Sequence, residues 1–281
     1  MPKIYEVYGN AINKGKDKGI LSADLRLLIA HDMGYDLPID TLYHKDDEMT
    51  HLDEFNAQYE RLLNNEPVEY IINEAQFLEY KLYVDPNVLI PRMETQELVA
   101  NITERIMDYY DPRNYLVCAD IGTGSGAIAL ALKGIFKNWL MSASDVSDKA
   151  LEVAKKNFKT YGFSINALKG KSLEPYIEAN MNLDIIVSNP PYIINKEDVQ
   201  SSVKDFEPAQ ALYLEDGNNV YEDVFRDYKK VKKGSLLMCF EIGYDLKDYL
   251  IKLMKDYLED YEYEFVEDLN GLTRFLFVNC K

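Results

Sequence analysis

The chain of 281 residues carries 48 acidic and 31 basic side chains, a formal charge of −17. Its 47% hydrophobic content, with 10 Pro and 14 Gly, is that of a folded globular protein and excludes a disordered or collagenous chain. Residues 1–84 hold 8 basic against 16 acidic groups and residues 85–281 hold 23 against 32, so neither part is suited to neutralising a polyanion, and direct nucleic-acid binding is disfavoured.

The opening Met1-Pro2-Lys3-Ile4-Tyr5-Glu6 does not begin an export signal, and no stretch approaches the roughly 18 apolar residues of a spanning helix. A soluble, cytoplasmic protein without membrane contact is expected. Two segments, Asp24–Ala30 and Leu52–Leu63, repeat apolar residues every three or four positions and predict helices. Gly34-Tyr35-Asp36-Leu37-Pro38 between them reads as a stop, and the whole as a small helical bundle. His31, His44 and His51 all fall in this part, away from any metal-ligand cluster. From Phe77 the pattern alternates, with Tyr80, Leu82 and Val84 on one face and Asp85-Pro86-Asn87 as a turn, which predicts a short hairpin. The expected division is therefore a helical domain over 1–75 and a hairpin plus α/β domain over 76–281.

After Pro91, strand and helix signals alternate. Tyr115–Ala119, Leu140–Ser144, Leu183–Ser188, Ser235–Phe240 and Arg274–Val278 read as strands; Ala127–Phe136, Lys149–Phe158 and Asp245–Leu258 read as helices. Repeated units of this kind imply an α/β fold with a mostly parallel sheet and helices on both faces, whose ligands sit beyond the carboxyl ends of the strands. Cys118, Cys239 and Cys280 have no pairwise metal spacing; they read as small buried hydrophobes in a reducing compartment, and no metal site is expected.

The loop Asp120-Ile121-Gly122-Thr123-Gly124-Ser125-Gly126 follows the first of these strands and opens a helix. Three alternating glycines let the backbone turn tightly and approach a ligand closely. Asp145 ends the next strand, where a carboxylate can accept hydrogen bonds from both hydroxyls of a ribose. Together they describe an adenosine-containing ligand. The same glycines, with Ala127, also satisfy a dinucleotide fingerprint, which leaves a nicotinamide-dependent oxidoreductase open at this point.

Ser188-Asn189-Pro190-Pro191-Tyr192 separates the possibilities. Two prolines stiffen an extended backbone and remove two N–H donors, leaving carbonyls that only accept. The Asn189 side-chain oxygen and the Pro190 carbonyl suit the two hydrogens of a planar NH₂. Such a nitrogen is a poor nucleophile because its lone pair is delocalised, and it reacts only when held in line with an electrophile, an orientation worth roughly 7–11 kcal/mol. Acceptors on both hydrogens also stabilise the charge that develops on nitrogen.

These residues resemble class I S-adenosylmethionine-dependent methyltransferases acting on planar nitrogen, and more narrowly the HemK/PrmC family, which methylates the glutamine amide of the Gly-Gly-Gln motif in class 1 peptide chain release factors. The likeness runs through 65–71, 88–95, 120–132, 186–193 and 206–212. It implies a Rossmann-like class I methyltransferase sheet behind a small helical domain that docks the substrate. It further implies that Asp120, Gly122, Thr123, Gly124, Ser125 and Gly126 wrap the amino-acid end of the cofactor, that Asp145 binds its ribose, and that backbone around Ser172 meets its adenine. Asn189 and Pro190 would hold the amide, Asn189 also contacting the cofactor, with Tyr192 and Phe77 as aromatic walls. Two departures stand out: Pro91-Arg92-Met93-Glu94-Thr95-Gln96 lacks the family's second proline, and Lys171 replaces its usual acid near the adenine, which implies weaker cofactor binding. The other readings are methylation of an exocyclic amine of adenine or guanine in RNA or DNA, and a non-enzymatic protein that keeps only the nucleoside pocket.

Overall fold

A computed structural model describes residues 1–281 apart from 112, 196, 198 and 216–218. The chain divides into two compact units, Met1–Glu74 with Gln200–Phe206, and Ala75–Val199 with Glu207–Lys281.

The first unit contains α1 (Ile4–Gly15), α2 (Ser22–Met33), α3 (Asp40–Tyr43), α4 (Leu52–Leu63) and α5 (Val68–Ile72). Gly34 stops α2 as expected: in the left-handed region, it returns its N–H to Ala30 and His31. Leu25, Leu28 and Ile29 of α2 join Phe55, Tyr59 and Leu62 of α4 in one buried cluster with Ile4 and Val7 of α1. Helix α1 has no counterpart among the predicted helices. Residues 200–206 also fall in this unit although they are remote in sequence.

The second unit begins with the hairpin of β1 (Glu74–Phe77) and β2 (Tyr80–Tyr83), followed by the long α6 (Met93–Tyr109). Its turn is at Leu78-Glu79, one strand earlier than expected: Leu78 takes the left-handed conformation (φ +51°) that usually falls to Gly or Asn. Asp85–Val88 still turns, with Asp85 Oδ1 accepting from the Asn87 N–H. The remaining elements are β3 (Val117–Ile121), α7 (Ala127–Ile135), β4 (Leu140–Asp145), α8 (Asp148–Thr160), β5 (Asn166–Lys169), α9 (Glu174–Glu178), β6 (Leu183–Ser188), α10 (Ser201–Phe206, in the first unit), α11 (Ala209–Leu212), α12 (Val220–Asp227), β7 (Lys232–Glu241), α13 (Lys247–Tyr257), β8 (Tyr261–Glu267) and β9 (Thr273–Cys280).

The seven-stranded sheet runs β5-β4-β3-β6-β7-β9-β8, parallel from β5 to β7 and antiparallel at β9 and β8. Alternate residues of each central strand feed opposite faces. Cys118, Ile185, Val187, Cys239 and Phe277 pack with α6, α7 and α8, whereas Ala119, Ile186, Met238, Phe240 and Leu276 pack with α12 and α13. Burial on both faces explains why these strands read as continuous apolar runs, and each fully buried Leu, Ile or Phe contributes about 1.5–3 kcal/mol. All three cysteines are free and buried, and burial raises their thiol pKa values. The winding direction reverses between β3 and its neighbours β4 and β6, so the carboxyl ends of these strands frame the ligand crevice.

Candidate active site

A cavity of about 170 Å³ opens at that crevice. Gly122, Thr123, Gly124 and Ser125 from the loop after β3 line it, with Asp145 from the end of β4, Ser172 from the loop after β5, and Asn189 and Pro190 after β6. Four loops that are distant in sequence thus share one wall.

The glycine loop is held from below. Asp120 is fully buried and accepts from Thr123 Oγ1 (2.6 Å) and the Ala129 N–H (3.2 Å), while Ser144 O accepts from the N–H groups of Gly122 and Thr123 (2.9 Å each). Burial raises the Asp120 carboxyl to about 7. Asp120 is thus not among the residues that line the cavity, and its carboxyl holds the loop through Thr123 and Ala129. Gly126 also lies off the wall: a Cβ there would meet the Phe158 ring at 2.5 Å, so this glycine permits helix packing. At Gly122 and Gly124, both with positive φ, a Cβ would meet open space.

The residues present fit an adenosyl group. Asp145 accepts from the Gly124 N–H (3.0 Å) and the Ser147 N–H (2.9 Å), which fixes its carboxylate and leaves lone pairs for two hydroxyls. Burial raises its pKa against the pull of those N–H groups. Ser172 Oγ is buried without a hydrogen-bond partner on the cavity wall, and its residue is held at φ +50°. Lys171 also lines the cavity, but its ammonium pairs with Asp223 of α12 at 2.8 Å, and Asp223 pairs again with Arg226. The cation is thus neutralised within the protein.

The substrate side is built around Asn189. Its Nδ2 donates to Thr95 Oγ1 (3.0 Å), Thr95 Oγ1 donates to Glu241 Oε2 (2.7 Å), and Tyr192 Oη donates to Glu241 Oε1 (3.1 Å). Glu241 is fully buried at the end of β7, and burial raises its carboxyl to about 7 despite the two hydroxyls. The sequence reading missed both Thr95 and Glu241. A carboxylate closing the apolar run Leu236–Phe240 was the available signal. Tyr192 packs against the α12/α13 side of the sheet with its hydroxyl spent on Glu241, and Phe77 is wholly buried in the other core cluster. Neither is among the residues that line the cavity: Phe77 is buried in β1 with Ala75, and the Tyr192 hydroxyl is held by Glu241. The rim is tied by Glu207, which pairs with Arg92 and accepts from the Ile90 N–H at 3.3 Å.

Comparison with known proteins meets this geometry from the other side. A release factor glutamine methyltransferase of Bacillus subtilis is 38% identical over 74% of this chain and 73% of its own length, and one of Bacillus anthracis 36% identical over 76% and 77%. The chain belongs to the release factor glutamine methyltransferase family. The resemblance read from its motifs is borne out. The methyltransferase small domain matches residues 96–222. A methyltransferase from Pyrococcus furiosus shares the fold, with a TM-score of 0.50 and 15% identity over 80% of this chain and 97% of that one. Among the described residues, no helix is long and apolar enough to cross a membrane.

Proposed function

We propose that this protein transfers the methyl group of S-adenosylmethionine to the N5 side-chain amide nitrogen of the glutamine in the Gly-Gly-Gln motif of a class 1 release factor. The observation that carries the reading is the orientation of Asn189: its NH₂ is spent inward on Thr95, which leaves Oδ1 free on the cavity wall shared with Gly122–Ser125 and Asp145.

The bound cofactor would supply an electrophilic methyl carbon on a sulfonium. Gly122–Ser125 would seat its amino-acid end, Asp145 its ribose and Ser172 its adenine edge. Asn189 Oδ1 and the Pro190 carbonyl would accept the two hydrogens of the substrate NH₂, fixing a nitrogen whose lone pair is otherwise delocalised. As the N–CH₃ bond would form and the S–CH₃ bond would break, leaving S-adenosylhomocysteine, the same two oxygens would stabilise the positive charge on that nitrogen until one of its hydrogens leaves as a proton to water, so no general base has to act before attack. The rigid Pro190-Pro191 backbone keeps this acceptor pair from relaxing, so reorganisation costs little.

Purified protein incubated with labelled S-adenosylmethionine and unmodified release factor should place one methyl on the Gly-Gly-Gln peptide, read by peptide mass analysis. Label in RNA or DNA and none in protein would favour an exocyclic base amine instead. Calorimetry should show binding of S-adenosylmethionine and none of NAD or NADP. Cofactor affinity without turnover would support a non-enzymatic nucleoside-binding protein.

A further inference from the structure

We propose that Thr95 and Glu241 decide which end of the Asn189 amide faces the substrate, and so make the site select a glutamine amide over the corresponding carboxylate. The inference deepens the proposed function and rests on it.

A side-chain amide has two ends of nearly equal size, one that accepts and one that donates. Its direction has to come from its partners. Above its pKa of about 7, Glu241 is a carboxylate that only accepts, and it receives hydrogens from Thr95 on one oxygen and Tyr192 on the other. Thr95 has one hydroxyl hydrogen and spends it on Glu241, so toward Asn189 its oxygen can only accept. Asn189 must therefore turn Nδ2 inward, as observed, and present Oδ1 to the cavity. Thr95, which lines the cavity, is 4% exposed and Glu241 0%, so the bond between them is largely shielded from water. The three groups come from α6, the loop after β6 and the end of β7; β6 and β7 pair side by side in the sheet, and α6 packs on it.

Oδ1 turned outward beside Pro190 makes a pair of acceptors. An NH₂ meets them with two hydrogens, whereas a carboxylate oxygen would meet them with lone pairs and negative charge. Sites built to hydrogen-bond one group reject an analogue that leaves the buried partners unpaired. Were Asn189 reversed, its NH₂ would donate to a carboxylate and the discrimination would weaken. Thr95 is a positioning residue here, since it acts through Asn189.

The test, run at pH 8 where Glu241 is ionised, compares wild type with Thr95→Val, Thr95→Ser and Glu241→Gln, using release factor as substrate and its Gln-to-Glu form at the methylated position as competing inhibitor. Thr95→Val should lose about 10- to 100-fold in kcat, less than the roughly 100- to 1,000-fold expected when the contacting group itself is removed, because Asn189 remains in place. It should also bind the Glu form several-fold more tightly relative to KM for the Gln form. Cofactor affinity by calorimetry should match wild type, and Thr95→Ser should restore both values. Glu241→Gln, whose NH₂ can face Thr95, should fall between them, and it carries the test if Thr95→Val does not fold. A folded Thr95→Val or Glu241→Gln with wild-type kcat and unchanged Gln-to-Glu discrimination would overturn the relay while leaving the methyltransferase reading intact. A wild-type protein that binds cofactor yet methylates no release factor would overturn that reading and this inference together.

Discussion

In the proposed reaction the chemistry turns on Asn189, because an amide nitrogen reacts only when both its hydrogens are held. Asn189→Ala removes one of the two acceptors and should lower kcat by about 100- to 1,000-fold, with cofactor affinity within about threefold of wild type. Steady-state kinetics beside calorimetry checks this. Glu241 adds a pH dependence of stability. Its carboxyl titrates at about 7 in the folded chain, with Thr95, Tyr192, Glu94 and Arg274 as its neighbours, against 4.5 when free. Between those values the folded state holds a proton the unfolded chain has released, so stability falls as pH rises from about 4.5 to about 7 and levels off above. Relative to wild type, Glu241→Gln should therefore gain roughly 3 kcal/mol in unfolding free energy between pH 4 and pH 8, measured by urea denaturation. A pH-independent difference would contradict it. The glycine loop, Asp145 and Asn189 were legible in the sequence because each chemistry is written in a few adjacent residues at a strand's end. Thr95 and Glu241 were not, since only the folded sheet brings them together.

At the scale of elements, one glycine loop serves two ends. Gly126→Ala drives a methyl into the Phe158 ring at positive φ, and should cost about 2–4 kcal/mol, read as a lowered melting temperature. Gly124→Ala meets open space, so it should cost only about 1 kcal/mol in backbone strain, and its larger effect should be on cofactor affinity. Equal losses of stability would contradict this division. The central strands were readable because burial on both faces makes them uniformly apolar. Strand β8 was not predicted: as an edge strand with Glu262, Glu264 and Glu267, it has no continuous apolar signal. The hairpin turn was displaced because Leu78 takes a conformation that its side chain does not advertise.

For the whole molecule, sequence patterning showed a helical part before an α/β part, but it did not show that residues 200–206 join the helical unit. The helical part carries an excess of 8 acidic groups over residues 1–84. We assign it the docking of the release factor, because complementary charge steers encounter and fixes register. Reversing Asp36, Asp40, Asp46 and Asp47 together should raise KM for release factor about tenfold and weaken its salt dependence, with kcat nearly unchanged. An unaltered KM would remove the docking role. The most direct measurement of the whole account is peptide mass analysis of release factor after incubation with S-adenosylmethionine and either wild type or Asn189→Ala. A single methyl on the side-chain nitrogen of the Gly-Gly-Gln glutamine, made by wild type and lost with Asn189→Ala, is the expected result. An unmodified glutamine with the cofactor-binding wild-type protein, or equal methylation by both, would contradict it.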